Sequence, residues 1–161
     1  MHSRKVFIET LLELAKNDDK IVLVVTDVGF SFIELFKEKF PDRYFNFGVT
    51  EQSTALIVTA MAKEGFKPWF YSMINFVAFR PYEMVRNGIA LHNANVKLVG
   101  VKGSEKYKFL GFSHNMLYEN EDVDVLKHLP NMSIYIPQDE KKVRESIIDA
   151  YKIDGPCYLR L

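Results

Sequence analysis

The feature that most constrains this chain is Ile21-Val22-Leu23-Val24-Val25, a β-branched run with no polar residue at alternate positions. A strand with one solvated face alternates, so this one must be covered on both faces. It directly follows residues 6–15, where Phe7, Ile8, Leu11, Leu12, Leu14 and Ala15 recur at helical spacing before Asn17-Asp18-Asp19 ends the segment. The same alternation then repeats along the chain. Helices are expected near residues 31–39, 51–63, 82–91, 123–129 and 140–151, with strands near 43–47, 69–72, 96–101, 132–135 and 157–159 and a loop from about 102 to 120. Apolar strands separated by helices predict a doubly wound α/β domain, a mostly parallel sheet with helices on both faces joined by right-handed crossovers.

No Gly/Ser-rich linker or internal repeat divides the chain, and its 161 residues, 48% hydrophobic and 26% charged, suit one domain spanning 1–161. Lys+Arg and Asp+Glu both number 21. With no basic run interleaved with aromatics, the expectation is no nucleic-acid and no anionic-membrane partner. The longest apolar run is far below membrane-spanning length, and the start, Met1-His2-Ser3-Arg4-Lys5, leads into amphipathic sequence without a signal-peptide core, so a cytoplasmic protein is expected. Cys157 is the single cysteine; it sits in an apolar terminal strand and reads as core.

In doubly wound folds ligands collect where strands end and helices begin. Four such places stand out: Thr26-Asp27-Val28-Gly29; Gly48-Val49-Thr50-Glu51-Gln52; Met73 through Arg80; and the loop from Lys102 through Gly111-Phe112-Ser113-His114. Glu51 follows a glycine turn and Thr50, a residue able to cap the helix, and opens a helix that is apolar nearly all round. Its carboxylate is therefore either an acid/base group near an interior or interface, or a first-turn charge favouring the helix dipole. Met73, Phe76 and Phe79, three apart beside Arg80, read either as core packing or as the wall of a ring-binding pocket.

Read together, these residues resemble one family. Arg43-Tyr44-Phe45-Asn46-Phe47-Gly48-Val49-Thr50-Glu51-Gln52, then Ala60-Met61-Ala62-Lys63-Glu64-Gly65-Phe66-Lys67-Pro68, are similar to the pyrimidine-binding domain of transketolases. The likeness continues through Asn75-Phe76-Val77-Ala78-Phe79 and Arg80-Pro81-Tyr82-Glu83-Met84-Val85-Arg86-Asn87. It runs on through Gly111-Phe112-Ser113-His114, Glu121-Asp122-Val123, Leu129-Pro130-Asn131-Met132 and Pro137-Gln138-Asp139-Glu140 to Gly155-Pro156-Cys157-Tyr158-Leu159-Arg160-Leu161. The resemblance implies the thiamine diphosphate-binding fold, with the cofactor held between two domains. It implies that Glu51 hydrogen-bonds the aminopyrimidine nitrogen opposite the amino group and exchanges a proton there, which promotes loss of the thiazolium C2 proton. It further places Met73, Phe76 and Phe79 around the aminopyrimidine, Phe76 as the stacking ring, with Asp27 as another cofactor contact.

The substrate half departs from the family. Leu110 precedes Gly111 where transketolases carry a sugar-binding aspartate, Phe112-Ser113 replace Pro-Thr, and Lys102 stands where a histidine is usual. His114 is retained. His114, Lys102 and Arg80 are thus candidate substrate ligands, the first alternatively a plain loop histidine and the other two alternatively partners of carboxylates. The Gly-Asp-Gly and later Asn that hold Mg²⁺ and the diphosphate in the family have no counterpart, so the resemblance implies either a stand-alone subunit that pairs with a separate diphosphate-binding subunit, in a homodimer or heterotetramer acting on a small-molecule substrate, or an excised domain, or a degenerate paralogue. The expected activity is transfer of a two-carbon ketol unit between sugar-type substrates. A thiamine-dependent 2-oxo-acid decarboxylase subunit and a non-catalytic binding or regulatory paralogue are the alternatives.

Overall fold

Ile21, Leu23 and Val25 turn to one face of strand β1 (Ile21–Val25) and Val22 and Val24 to the other, and all five are buried. In this computed structural model, residues 3–28, 31–103 and 105–161 are described, with backbone alone at 105 and 106. Met1, His2 and Gly29, named above, lie outside the described residues. Strands β2 (Tyr44–Asn46), β3 (Lys67–Met73), β4 (Lys97–Val101), β5 (Ser133–Tyr135) and β6 (Cys157–Arg160) join β1 in a sheet ordered β2-β1-β3-β4-β6-β5, every pairing parallel.

Helices α1 (Ser3–Ala15) and α6 (Glu140–Lys152) cover one face, packing Phe7, Leu11, Val143 and Ile147 on Leu23, Trp69, Tyr71 and Leu159. Helix α3 (Glu51–Lys63) and the helical stretch after β3 cover the other, with Ala55, Val58, Val77 and Ile89 on Val22, Phe70 and Leu98. Each such Val, Leu, Ile or Phe side chain, taken fully from water, stabilises the fold by about 1.5–3 kcal/mol. Burial on both faces is the cause of the uninterrupted apolar strands. Cys157 lies wholly within the first cluster, where burial pushes its thiol up from the ordinary value.

The first crossover from β1 leads to β2 on one side, and the next returns past β1 to β3 on the other. The strand order therefore reverses at the C-terminal ends of β1 and β3, where an open sheet leaves a crevice. Two short helices, α2 (Glu34–Lys39) and α5 (Glu121–Leu126), complete the expected set.

Three local expectations are corrected. The segment after β3 begins as a π-helical turn, Asn75–Phe79, runs through α4 (Tyr82–Met84) and ends in a second π-helical stretch, Val85–Ala90. The predicted loop holds 3₁₀ turns over Glu105–Ser113, broken at Gly111 by a φ of 63°. Thr50 does not cap α3: its hydroxyl donates to the Phe47 carbonyl at 2.9 Å instead.

Buried polar groups tie the layers. Lys97 donates from Nζ to the carbonyls of Ile153 and Gly155 at 2.8 and 2.6 Å, fastening β4 to the turn before β6. Asp18 accepts from Lys67 Nζ at 2.6 Å and the Tyr151 hydroxyl at 2.9 Å, joining the start of β3 to α6. Burial alone would raise the Asp18 carboxyl, but the hydrogen bonds from Lys67, the Lys20 N–H and Tyr151 outweigh it and hold it below 3.8. A carboxyl depressed in the folded state adds stability above its unfolded value, and that stability is lost as pH falls through the folded value. Asp18→Asn is therefore expected to cost about 1.5–3 kcal/mol at neutral pH, the scale of hydrogen bonds to charged groups. In urea titrations the gap from wild type should close as pH falls below 3.8; a gap unchanged there would refute the assignment.

Candidate active site

At the strand-order reversal lies a cavity of about 620 Å³, walled by the ends of β1 and β3, the start of α3, the π-helical turn and the 105–114 segment. Asn46, the last residue of β2, braces its wall from outside the lining. Its Oδ1 accepts from the N–H groups of Asp27 and Gly48 at 3.1 and 3.0 Å, and its Nδ2 donates to Asp27 Oδ1 at 2.8 Å. The end of β1 is thereby pinned to the turn before α3. That turn needs glycine, because Gly48 has a φ of +68°, a conformation that side chains disfavour. Asn46 has a structural part that its place in the sequence motif alone did not disclose.

The turn delivers Glu51 to the first position of α3, facing the cavity and only 5% exposed. Its Oε1 accepts from Arg80 Nη1 at 3.0 Å. Arg80 comes from the far wall, where its N–H reaches the Asn75 carbonyl at 2.9 Å, five residues back, in the wide hydrogen-bond pattern of a π-turn. The guanidinium carbon of Arg80 sits 3.8 Å from the Phe76 ring centroid. The imidazole of His114 meets the same ring edge-on, centroids 5.0 Å apart at 74°.

Asn75, itself buried, donates from Nδ2 to the carbonyls of Phe112 and Asn115 at 2.9 and 3.3 Å, and so fixes the 105–115 segment over the cavity. Ser113 Oγ donates to the Leu110 carbonyl at 2.9 Å and lies 2.7 Å from His114 Nδ1. A hydroxyl has one proton, so Ser113 accepts from Nδ1–H and leaves His114 Nε2 free to accept. The Thr26 and Ser72 hydroxyls, buried at the ends of β1 and β3, lie 3.1 Å apart. Tyr71 backs the cavity, its hydroxyl pushed up to about 12 by burial against the opposing pull of Arg4.

The structure thus brings Glu51, Met73, Phe76, Arg80, Asp27, His114 and Lys102 to one cavity. It does not bring Phe79 there; that ring packs, partly buried, against the second core cluster. Lys102 pairs with Glu119 at the outer rim. Asn46, Asn75 and Ser113 support the site, and sequence reasoning did not single them out for it. The arrangement suits a flat heteroaromatic with a hydrogen-bonding edge: Phe76 and Met73 supply stacking and apolar contact, and Glu51 supplies one nearly sealed carboxyl.

The family model described as the transketolase pyrimidine-binding domain matches residues 1–161. A subunit of the apulose-4-phosphate transketolase of Phocaeicola vulgatus is 33% identical over 159 residues, 98% of this chain and 50% of that protein. The 1-deoxy-D-xylulose-5-phosphate synthase of Bacillus cereus is 35% identical over 155 residues, 94% of this chain and 24% of that protein. A solved structure described as a split gene transketolase, inactive β4 tetramer, is 31% identical and superposes with a TM-score of 0.86 over 99% of this chain and 50% of that one. The chain spans half or less of these relatives. On the match along its whole length, this chain belongs to the transketolase pyrimidine-binding domain family.

Proposed function

We propose that the chain is the pyrimidine-binding subunit of a thiamine diphosphate-dependent, transketolase-like enzyme that transfers a two-carbon ketol unit between sugar-type substrates. The observation that carries this reading is Glu51, 5% exposed and facing the same cavity as the Phe76 ring. When bound, thiamine diphosphate supplies a nucleophilic carbon and an electron sink for breaking a carbon–carbon bond. The residues here fit its aminopyrimidine: Phe76 and Met73 hold the ring plane, Asp27 stands at the cavity wall, and Glu51 gives and takes a proton at the ring nitrogen opposite the amino group. His114 Nε2 accepts from a substrate hydroxyl, and Lys102 offers charge at the rim. The Phocaeicola and Bacillus relatives both carry a sugar phosphate in their names, which favours a phosphorylated ketose.

A separate subunit carrying the Gly-Asp-Gly and Asn motif binds Mg²⁺ and the diphosphate. The test is to identify that subunit by co-purification from the native cell, reconstitute the complex, and assay a keto-sugar phosphate against a 2-oxo acid. Ketol transfer supports the reading. Turnover of the oxo acid alone makes this a decarboxylase subunit, and a complex that is inactive with both makes it a non-catalytic paralogue.

The same reading places a subunit interface on α3. Leu56 and Ile57 on its outer face and Leu91 beside it are 50%, 37% and 65% exposed, an apolar strip beside the site. A homodimer or heterotetramer that buries this strip is proposed. Burying one leucine contributes about 1.5–3 kcal/mol, so Leu56→Asp should weaken self-association at least about 10-fold in sedimentation. Wild-type chain that sediments only as monomer at tens of micromolar would contradict the dimer.

A further inference from the structure

One guanidinium engages both groups that the aminopyrimidine would need. Arg80 Nη1 donates to Glu51 Oε1 at 3.0 Å, and the Arg80 guanidinium carbon lies 3.8 Å from the Phe76 ring centroid. With Arg80 on one side and the His114 ring packed nearly perpendicular to it, Phe76 is only 6% exposed, and Glu51 only 5%. Neither the ring face nor the carboxyl is open. A guanidinium shares the recognition chemistry of a protonated aminopyrimidine: both are flat, both spread positive charge over the plane, and both point N–H donors outward in that plane.

We propose that Arg80 is a built-in, displaceable occupant of the ring site, so that an aminopyrimidine binds only when the Arg80 guanidinium leaves Phe76 and Glu51. This rests on the function proposed above. Displacement is feasible because the Arg80 side chain remains 37% exposed, so its pairing with Glu51 is partly met by water on release. The four-residue spacing of Phe76 and Arg80 on one helical turn makes the occupant part of the same wall and always present at the site. A ring that must displace it loses affinity by the fraction of time Arg80 is away. The half-site thus stays covered while the subunit is alone, and the diphosphate contacts of the partner supply the drive to open it.

The experiment titrates thiamine, which carries the ring but no diphosphate, into the 161-residue chain by calorimetry and ligand-observed NMR. Wild type is compared with Arg80→Met, which keeps the methylene packing and removes the guanidinium, and with Arg80→Gln in case the first variant melts early. Removing a stacked, partly exposed cation should tighten thiamine about 10- to 100-fold. Adding Phe76→Leu to Arg80→Met should abolish that gain. If thiamine binds Arg80→Met no more tightly than wild type while Phe76→Leu weakens both, the ring site stands and Arg80 is not its occupant. If Phe76→Leu leaves thiamine binding unchanged in every background, the ring site itself is wrong and the proposal falls with it.

Discussion

Glu51→Gln in the reconstituted complex should lose on the order of 10²–10⁴ in turnover, the usual contribution of positioned general acid–base catalysis. Glutamine keeps the side-chain length, and its amide oxygen can still accept from Arg80 Nη1, the contact that Glu51 Oε1 makes at 3.0 Å. What it cannot do is take up and release a proton at the ring nitrogen. Deuterium exchange at the thiazolium C2–H should therefore slow along with turnover, while cofactor affinity stays within a few-fold of wild type. The rival account, in which Glu51 merely favours the α3 dipole, makes a different demand. It allows a stability loss of roughly 0.3–1 kcal/mol with C2–H exchange untouched. Exchange and melting temperature measured side by side separate the two, and wild-type exchange in the variant complex would remove Glu51 from the chemistry. Its seclusion is why the larger effect is expected: a solvated first-turn glutamate needs no cavity, whereas Glu51 is 5% exposed and faces one.

The sheet was legible because burial on both faces writes itself into composition. Val22 and Val24 pack on one helical layer while Ile21, Leu23 and Val25 pack on the other, so β1 shows no alternation and a parallel, covered sheet follows. The loci of the site were legible for a related reason, since Asp27, Glu51 and Lys102 each stand directly after a strand or its turn and Met73 closes one. The contacts among them were not. Glu51 and Arg80 are 29 residues apart, and only the strand reversal brings them within a hydrogen bond. The π-turn was equally hidden, because widening a helix by one residue leaves the i, i+3, i+4 apolar pattern nearly intact. Its consequence is visible only in three dimensions: Phe76 and Arg80 enter the cavity, and Phe79 goes to the core. Thr50 misled for a simpler reason. The residue type permits a cap, but the turn angles its hydroxyl back to Phe47.

Thiamine diphosphate with Mg²⁺ should bind this chain alone weakly, and about 10²–10⁴-fold more tightly once a subunit carrying the diphosphate motif is added. The cofactor is a ligand with two ends. On the proposed function the ring end meets Phe76, Met73 and Glu51, whereas the diphosphate end needs a metal and ligands that the proposed partner subunit would supply. Joining two weak contacts through one molecule makes the second intramolecular, and that step raises affinity without any change in either contact. Arg80 lowers both affinities alike, since the ring must displace it with or without the partner. Calorimetry on the isolated chain that shows micromolar, Mg²⁺-dependent binding would contradict the half-site reading. A second measurement tests the shared cost: Arg80→Met should tighten thiamine diphosphate in the isolated chain and in the complex by the same factor by which it tightens thiamine, leaving the ratio between the two unchanged. Equal factors follow from one shared equilibrium, the guanidinium on or off Phe76 and Glu51, which both experiments read.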